Sequence, residues 1–214
     1  MELSPNQISH LMNRFPEFEL SYETISHKKV TDEYDIAIAI PSGKKAYAWF
    51  TFHQDKDVCY LFDLNKDKKI SKANRIVTTI APEWSYGTIV YGTIIIDEIS
   101  GHQWFIIEDL YVYKGISMKK CTFGKKMDFL EEFMQYTDRQ FKTKNDVLFI
   151  LPMMWEFAMS LGELPSNVPD EITKHIAYTP HHIQYRASNV IMPYLNVFLN
   201  RKLNLTVMPT ELKK

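Results

Sequence analysis

Two apolar runs joined by a short polar turn constrain this chain more than any other feature. Thr88–Glu98 and Gln103–Leu110 are rich in isoleucine, valine and aromatic residues, and Ile99–His102 between them holds the serine and glycine of a turn. Long β-prone runs on either side of a four-residue connection predict a hairpin. The second run is followed by Tyr113–Gly115, an aromatic-basic-glycine corner. The chain is therefore expected to contain a sheet built around this hairpin.

Other segments predict two helices and further strands. Ser4 before Pro5 predicts a helix that runs to Phe15, because serine caps helix N-termini and proline suits the first turn. Spacing of apolar residues over Phe123–Phe141 predicts an amphipathic helix. The predicted strands are Ile36–Ile40, Ala46–Phe52 and Val58–Phe62, taken together as an antiparallel meander, and later His182–Arg186 and Leu203–Met208. Asn65–Arg75 is predicted to be a charged loop or the edge of a short helix, and Val147–Leu161 fits either a strand or a helix.

Composition bounds the class of protein. With 214 residues, 45% hydrophobic and 14% aromatic, the chain is expected to form one α+β domain over residues 1–214, a twisted antiparallel sheet flanked by helices. A net charge of −1 argues against coating nucleic acid by bulk electrostatics. Two cysteines and the lack of a long apolar run predict a soluble, cytoplasmic protein. Neither a cofactor fingerprint nor metal-ligand spacing is present, so no cofactor or metal is predicted.

Three segments carry a resemblance to a known fold. Pro41–Ala46, Thr93–Glu98 and Trp104–Gly115, with the helix that follows, resemble the nucleotidyltransferase-like fold of mRNA capping enzymes, and more closely its non-catalytic relative, the cap-binding domain of snurportin. Together these segments span about the middle half of the chain, in the right order. The resemblance implies a protein that binds the methylated 5′ cap of mRNA, whether 7-methylguanosine or trimethylguanosine.

The chain departs from the enzymes at their reactive positions. Where they carry a lysine nucleophile two positions before Asp-Gly, this chain has Ile40, then Ser42 and Gly43. No amine stands where the covalent nucleotidyl adduct would form. We therefore expect a non-enzymatic binding module. Two alternatives stay open: a nucleotidyltransferase that uses Lys44 or Lys45 instead, and an interaction subunit of a viral transcription complex without a nucleotide site.

Cap binding requires aromatic walls, because the 7-methylguanine ring is cationic and stacks on electron-rich rings. By the resemblance, one wall is Tyr113, at a corner expected to be exposed. The other family element, a serine and a nearby aromatic residue, falls on Ser21 and Tyr22. Trp84 and Trp104 are the substitutes if Tyr22 points elsewhere. For the last three rings, core packing is an equal alternative.

Charged residues near these rings complete the predicted site. A carboxylate accepting hydrogen bonds from the guanine edge is expected among Glu23, Glu108 and Asp109. Cations for the triphosphate are expected among Lys44, Lys45 and Lys114, with Lys56, Lys119 and Lys120 further away.

The bias towards isoleucine, lysine and asparagine is typical of large DNA virus proteins. By the resemblance, a virus-encoded cap reader is expected to act in translation initiation, in the host cytoplasm or viral factory. Capped RNA is the expected partner, and a scaffold protein could dock on an apolar surface such as Met153–Met159.

Overall fold

The structure, a computed structural model, describes residues 2–16, 22–24, 30–138, 140–143, 145–158 and 163–199, and for 22–24 the backbone alone. The fold is α+β, as predicted, with large antiparallel sheets and few helices. The helices are α1 (Pro5–Met12), α2 (Phe123–Gln135) and α3 (Asp170–Thr173), with a short 3-10 helix at Pro82–Tyr86. The strands are β1 (Tyr22–Thr24), β2 (Ile36–Pro41), β3 (Lys44–His53), β4 (Lys56–Leu64), β5 (Ile70–Ile76), β6 (Thr88–Ile96), β7 (Gln103–Tyr113), β8 (Ile116–Ser117), β9 (Val147–Ile150), β10 (Met154–Glu156), β11 (Pro180–Arg186) and β12 (Tyr194–Phe198).

The chain divides into two compact units, each with its own sheet, where the sequence predicted one sheet. The first unit comprises residues 1–20, 43–120 and 126–151, and the second comprises residues 21–42, 121–125 and 152–214. A domain that spans residues 1–214 stays a prediction. Among the described residues, no helix has the length and apolar character needed to cross a bilayer.

In the first unit the strand order is β5-β4-β3-β6-β7-β8, and β9 joins β7 in parallel. The predicted hairpin is confirmed: β6 and β7 pair antiparallel, with Ile95 opposite Trp104. The prediction of a charged loop or helix edge over Asn65–Arg75 is wrong, because most of this segment forms strand β5, which pairs with β4. Ile70 and Ala73 pack against the core, and this burial outweighs the high local charge.

Aromatic side chains fill both faces of this sheet because successive residues of a strand point to opposite sides. On one face Trp49 and Phe62 pack with Leu11 of α1 in a buried cluster. On the other face Phe50 contacts Phe133 of α2 at a ring-centroid distance of 5.5 Å. Both predicted helices are thus confirmed, and each packs against this sheet, as does Trp84 of the 3-10 helix.

Helix α1 begins with the predicted cap. The Ser4 hydroxyl accepts a hydrogen bond from the Gln7 backbone N–H, and the Gln7 amide oxygen accepts one from the Ser4 N–H. This reciprocal pair is a capping box. Pro5 follows at the first helical position, where a missing N–H costs nothing.

In the second unit the strand order is β1-β12-β11-β2-β10. The predicted three-strand meander is therefore wrong for its first member, because β2 pairs with β11 and β10 rather than with β3. Strand β11 confirms the predicted strand His182–Arg186. The segment predicted to be a strand at Leu203–Met208 lies outside the described residues, and β12 was not predicted. Part of the apolar run Met153–Met159 forms β10.

Candidate functional site

Strand β7 carries two extra residues relative to β6. Tyr91 is opposite Asp109 and Gly92 is opposite Ile107, so Glu108 between them has no partner residue. A second bulge of the same kind leaves Tyr111 without an opposite residue. Bulges re-aim side chains and are frequent beside functional sites. Both re-aimed residues, Glu108 and Tyr111, belong to one polar and aromatic cluster in the first unit.

An ion pair lies at the centre of this cluster. The Lys45 ammonium donates to both carboxylate oxygens of Glu108, at 2.6 and 2.8 Å, and to the Thr93 hydroxyl at 2.7 Å. The Thr93 hydroxyl donates in turn to Glu108. Glu108 is only 3% exposed, whereas 30% of the Lys45 side chain remains accessible. Hydrogen bonds to Lys45 and Thr93 thus fix the buried carboxylate, and the lysine is the accessible end of the network.

Three tyrosines surround the ion pair. The rings of Tyr47, Tyr91 and Tyr111 contact one another with centroid distances of 5.5, 6.1 and 6.2 Å. The Lys45 ammonium lies 6.0 Å from the Tyr91 centroid, within the range of a cation–π contact. Burial raises the pKa of Tyr47 well above its usual range. The cluster therefore presents neutral phenol rings beside a fixed carboxylate and a lysine.

A second ion pair borders the tyrosines. The Lys126 ammonium donates to the Asp109 carboxylate at 2.7 Å and lies 5.6 Å from the Tyr111 centroid. The Lys126 and Asp109 side chains are both largely buried. Two lysines and two carboxylates are thus arranged on either side of electron-rich rings.

Two of the predicted aromatic walls lie in the interior. Trp84 is 1% exposed and stacks on Phe133 at 4.1 Å. Tyr113, expected at an exposed corner, is 4% exposed and packs against Phe129 at 5.1 Å. The expectation of exposure was wrong because α2 folds over the end of β7 and covers the corner. Neither ring has an open face in this conformation.

The Lys114 side chain lies over Tyr113. Its ammonium is 5.1 Å from the Tyr113 ring centroid and pairs with Glu83 at 2.6 Å and Glu132 at 2.8 Å. Hydrogen bonds to Glu132 and Glu83 raise the pKa of Lys114. Desolvation, and then the nearby Glu132 charge, raise the pKa of Tyr113 to about 12. The buried Tyr113 hydroxyl itself makes no hydrogen bond of good geometry to any described residue.

The other predicted site residues are scattered. Lys44 is half exposed and donates to Asp63 at 2.6 Å. Trp104 is half buried, with its ring edge-on to Phe141 at 4.9 Å, so it is the predicted wall that stays partly accessible. Ser21 and the side chains of Tyr22 and Glu23 lie outside the described residues.

Sequence reasoning missed most of the cluster. It placed Glu108 in the site and named Lys45 only as a neighbouring cation, while Thr93, Tyr47 and Tyr91 were assigned to the sheet alone. Strand alternation could have found them, because Lys45 and Tyr47 are two residues apart on β3 and therefore share a face. The bulge that turns Glu108 towards that face leaves no signal in the sequence.

No group of three or more histidine, cysteine, aspartate or glutamate residues is arranged to hold a metal ion in the described part of the chain. The chain matches no protein-family model, and no curated protein is significantly similar to it.

Proposed function

We propose that this protein binds the methylated 5′ cap of mRNA without catalysing nucleotidyl transfer, as a cytoplasmic and virus-encoded cap reader. The observation that carries the proposal is the Glu108–Lys45–Thr93 network on a tyrosine-rich sheet face. A methylated guanine needs an acceptor for its Watson–Crick edge, a favourable environment for its positive charge and cations for its phosphates. This cluster contains all three.

The roles follow from chemistry and exposure. Glu108 is the acceptor for the guanine edge once the Lys45 ammonium moves from the enclosed carboxylate to the phosphates. Lys45 is the phosphate contact because it is the accessible member of the pair. Trp104 is the stacking wall, being half buried where Trp84 and Tyr113 are covered. Tyr22 remains the proposed second wall on the basis of the resemblance alone.

The ion pairs also favour a non-catalytic role over the nucleotidyltransferase alternative. A lysine nucleophile must be a neutral amine when it attacks the α-phosphate. The Lys44 ammonium is engaged by Asp63 and the Lys45 ammonium by Glu108, so either amine would have to break an ion pair before it could attack. Incubation with radiolabelled GTP, followed by denaturing electrophoresis, is expected to leave no label on the chain. A retained covalent label would overturn the non-catalytic part of the proposal.

Calorimetric titration with 7-methyl-GTP, trimethylguanosine triphosphate and GTP tests the binding part. We expect either methylated ligand to bind at least ~10-fold more tightly than GTP, because cation–π stacking adds to ordinary stacking. Equal affinity for all three ligands would refute cap specificity, and no heat with any of them would refute the site.

Matched variants locate the binding site. Trp104→Leu should weaken cap binding by about 1–3 kcal/mol, whereas Tyr136→Leu, which removes an exposed ring just after the end of α2, should leave it unchanged. Glu108→Gln should reduce the preference for methylated guanine, and Glu98→Gln, at the exposed end of the same hairpin, should not. Circular dichroism of each variant confirms that the sheet is intact. Unchanged binding in both Trp104→Leu and Glu108→Gln would remove this face from the site.

A further inference from the structure

Two neighbouring histidines in the second unit point towards each other. The Nδ1 atoms of His181 and His182 lie 2.9 Å apart. Adjacent residues of a regular strand point to opposite faces, so this convergence needs an irregular backbone. The register between β11 and β2 supplies it: Pro180 is opposite Pro41 and His182 is opposite Ile40, which leaves His181 as an extra residue in a bulge.

The pair is held between a strand and an aromatic ring. Phe198 of β12 contacts both imidazoles, with ring-centroid distances of 5.3 Å to His181 and 5.5 Å to His182. His182 is buried, whereas His181 is exposed. One side of the pair is therefore fixed by packing, and the other side is open to solvent.

From this geometry we infer that His181 and His182 form a two-histidine chelating site for a divalent transition-metal ion of tetragonal preference, Cu²⁺ or Ni²⁺. Metal–imidazole bonds are about 2.0–2.1 Å long, so two donors at right angles around one ion are about 2.9 Å apart. The observed Nδ1 separation has this value. Tetrahedral Zn²⁺ would require about 3.3 Å.

Binding needs a change of tautomer and a rotation of both rings, because the hydrogen bond directs the two Nδ1 atoms at each other and a shared metal ion lies off the line between them. In the free pair one Nδ1 carries the proton and the other accepts it. When both Nδ1 atoms bind the metal, each ring carries its proton on Nε2. No group of three metal-binding side chains includes this pair within the described residues, so water occupies the remaining coordination positions, on the exposed side of His181.

Titration of the full chain with CuCl₂, NiCl₂ and ZnCl₂ tests the inference independently of cap binding. We expect one equivalent of Cu²⁺ to bind more tightly than Ni²⁺, with a Cu²⁺ electron paramagnetic resonance spectrum of two equivalent nitrogens.

Variants separate this pair from adventitious binding by other histidines. His181→Ala and His182→Gln should each weaken Cu²⁺ binding at least ~10-fold, since a chelate becomes a single ligand. His175→Ala, which removes an exposed histidine of the same unit, should bind as the unaltered chain does. Equal Cu²⁺ affinity in the double variant His181→Ala/His182→Gln, tighter binding of Zn²⁺ than of Cu²⁺, or no stoichiometric Cu²⁺ binding would each overturn the inference.

Discussion

The Glu108 carboxylate is almost fully enclosed by protein and bonds to Lys45 and Thr93. Burial of an ionised group is costly unless a partner charge and hydrogen bonds compensate for the lost water. Lys45 and Thr93 supply that compensation. Lys44 is adjacent in sequence and also paired with a carboxylate, but half of its side chain is in solvent. Its partner Asp63 is buried as well, so the exposed ion pair for comparison is that of Lys72 with Glu2, in which more than half of each side chain is in solvent.

Lys45→Met is expected to destabilise the protein by about 3–5 kcal/mol, because it leaves a buried carboxylate without its cation. Lys72→Met should cost only about 0–1 kcal/mol, since its pair with Glu2 is exposed on both sides and exposed pairs contribute little. Urea unfolding followed by circular dichroism measures both losses. If the two variants lose equal stability, Glu108 is not buried as described.

The β6–β7 hairpin depends on a position where no side chain fits. A Cβ atom added at Gly92 would lie 2.0 Å from the Ile106 carbonyl oxygen of the neighbouring strand. The close approach coincides with the bulge at Glu108, so the glycine and the re-aimed carboxylate belong to the same irregularity.

Gly92→Ala should therefore shift β6 relative to β7 and destabilise the first unit by several kcal/mol, on the order of an overpacked core. Gly101 lies at the turn of the same hairpin with a φ of 72°. Gly101→Asn is the matched control, because asparagine tolerates the left-handed region, and it should change stability little. Thermal unfolding compares the two, and an unchanged midpoint for Gly92→Ala would contradict the described register.

Among the helices and strands, sequence patterns predicted the features that depend on residues close together in the chain. The cap at Ser4, the apolar stripe that buries Leu130 and Phe133, and the hairpin turn at Gly101 are all signals within a few residues. The pairing of β2 with β11 was not predictable in this way, because their contacts join residues far apart in the chain. Strand β5 was missed because its buried Ile70 and Ala73 are separated by polar residues.

Contacts between residues far apart in the chain also explain why most of the candidate site was not predicted. Glu108 could be chosen from the sequence as a carboxylate near a motif, but its bond to Lys45 spans two strands and a bulge. Exposure of Tyr113 was inferred from its position at a corner, and packing by α2 reversed it. Cap binding itself remains a prediction that the titrations must test.

For the whole molecule, buried phenols predict how the fold responds to alkali. Burial raises the pKa of Tyr113 to about 12, and raises those of Tyr47 and Tyr185 further. Below about pH 10 these rings are neutral in both the folded and the unfolded chain, so they add no pH dependence. Above it the unfolded chain loses protons first, and stability falls with rising pH.

We therefore expect the free energy of unfolding to decrease from about pH 10 upwards, and phenolate absorbance to rise in two stages, the later one together with loss of circular dichroism. Tyr113→Phe should reduce the slope. If all tyrosines ionise together near pH 10 while the chain stays folded, these rings are accessible to water.

The alternation of the chain between its two units has a consequence for biosynthesis. Each unit is assembled from three separate segments, and β1 pairs only with β12, in parallel, among the described strands. During synthesis β1 therefore has no partner among the described strands until β12 has been translated. Unpaired strand edges invite pairing with other chains, so aggregation during synthesis, rather than instability of the finished fold, is the hazard that this topology creates.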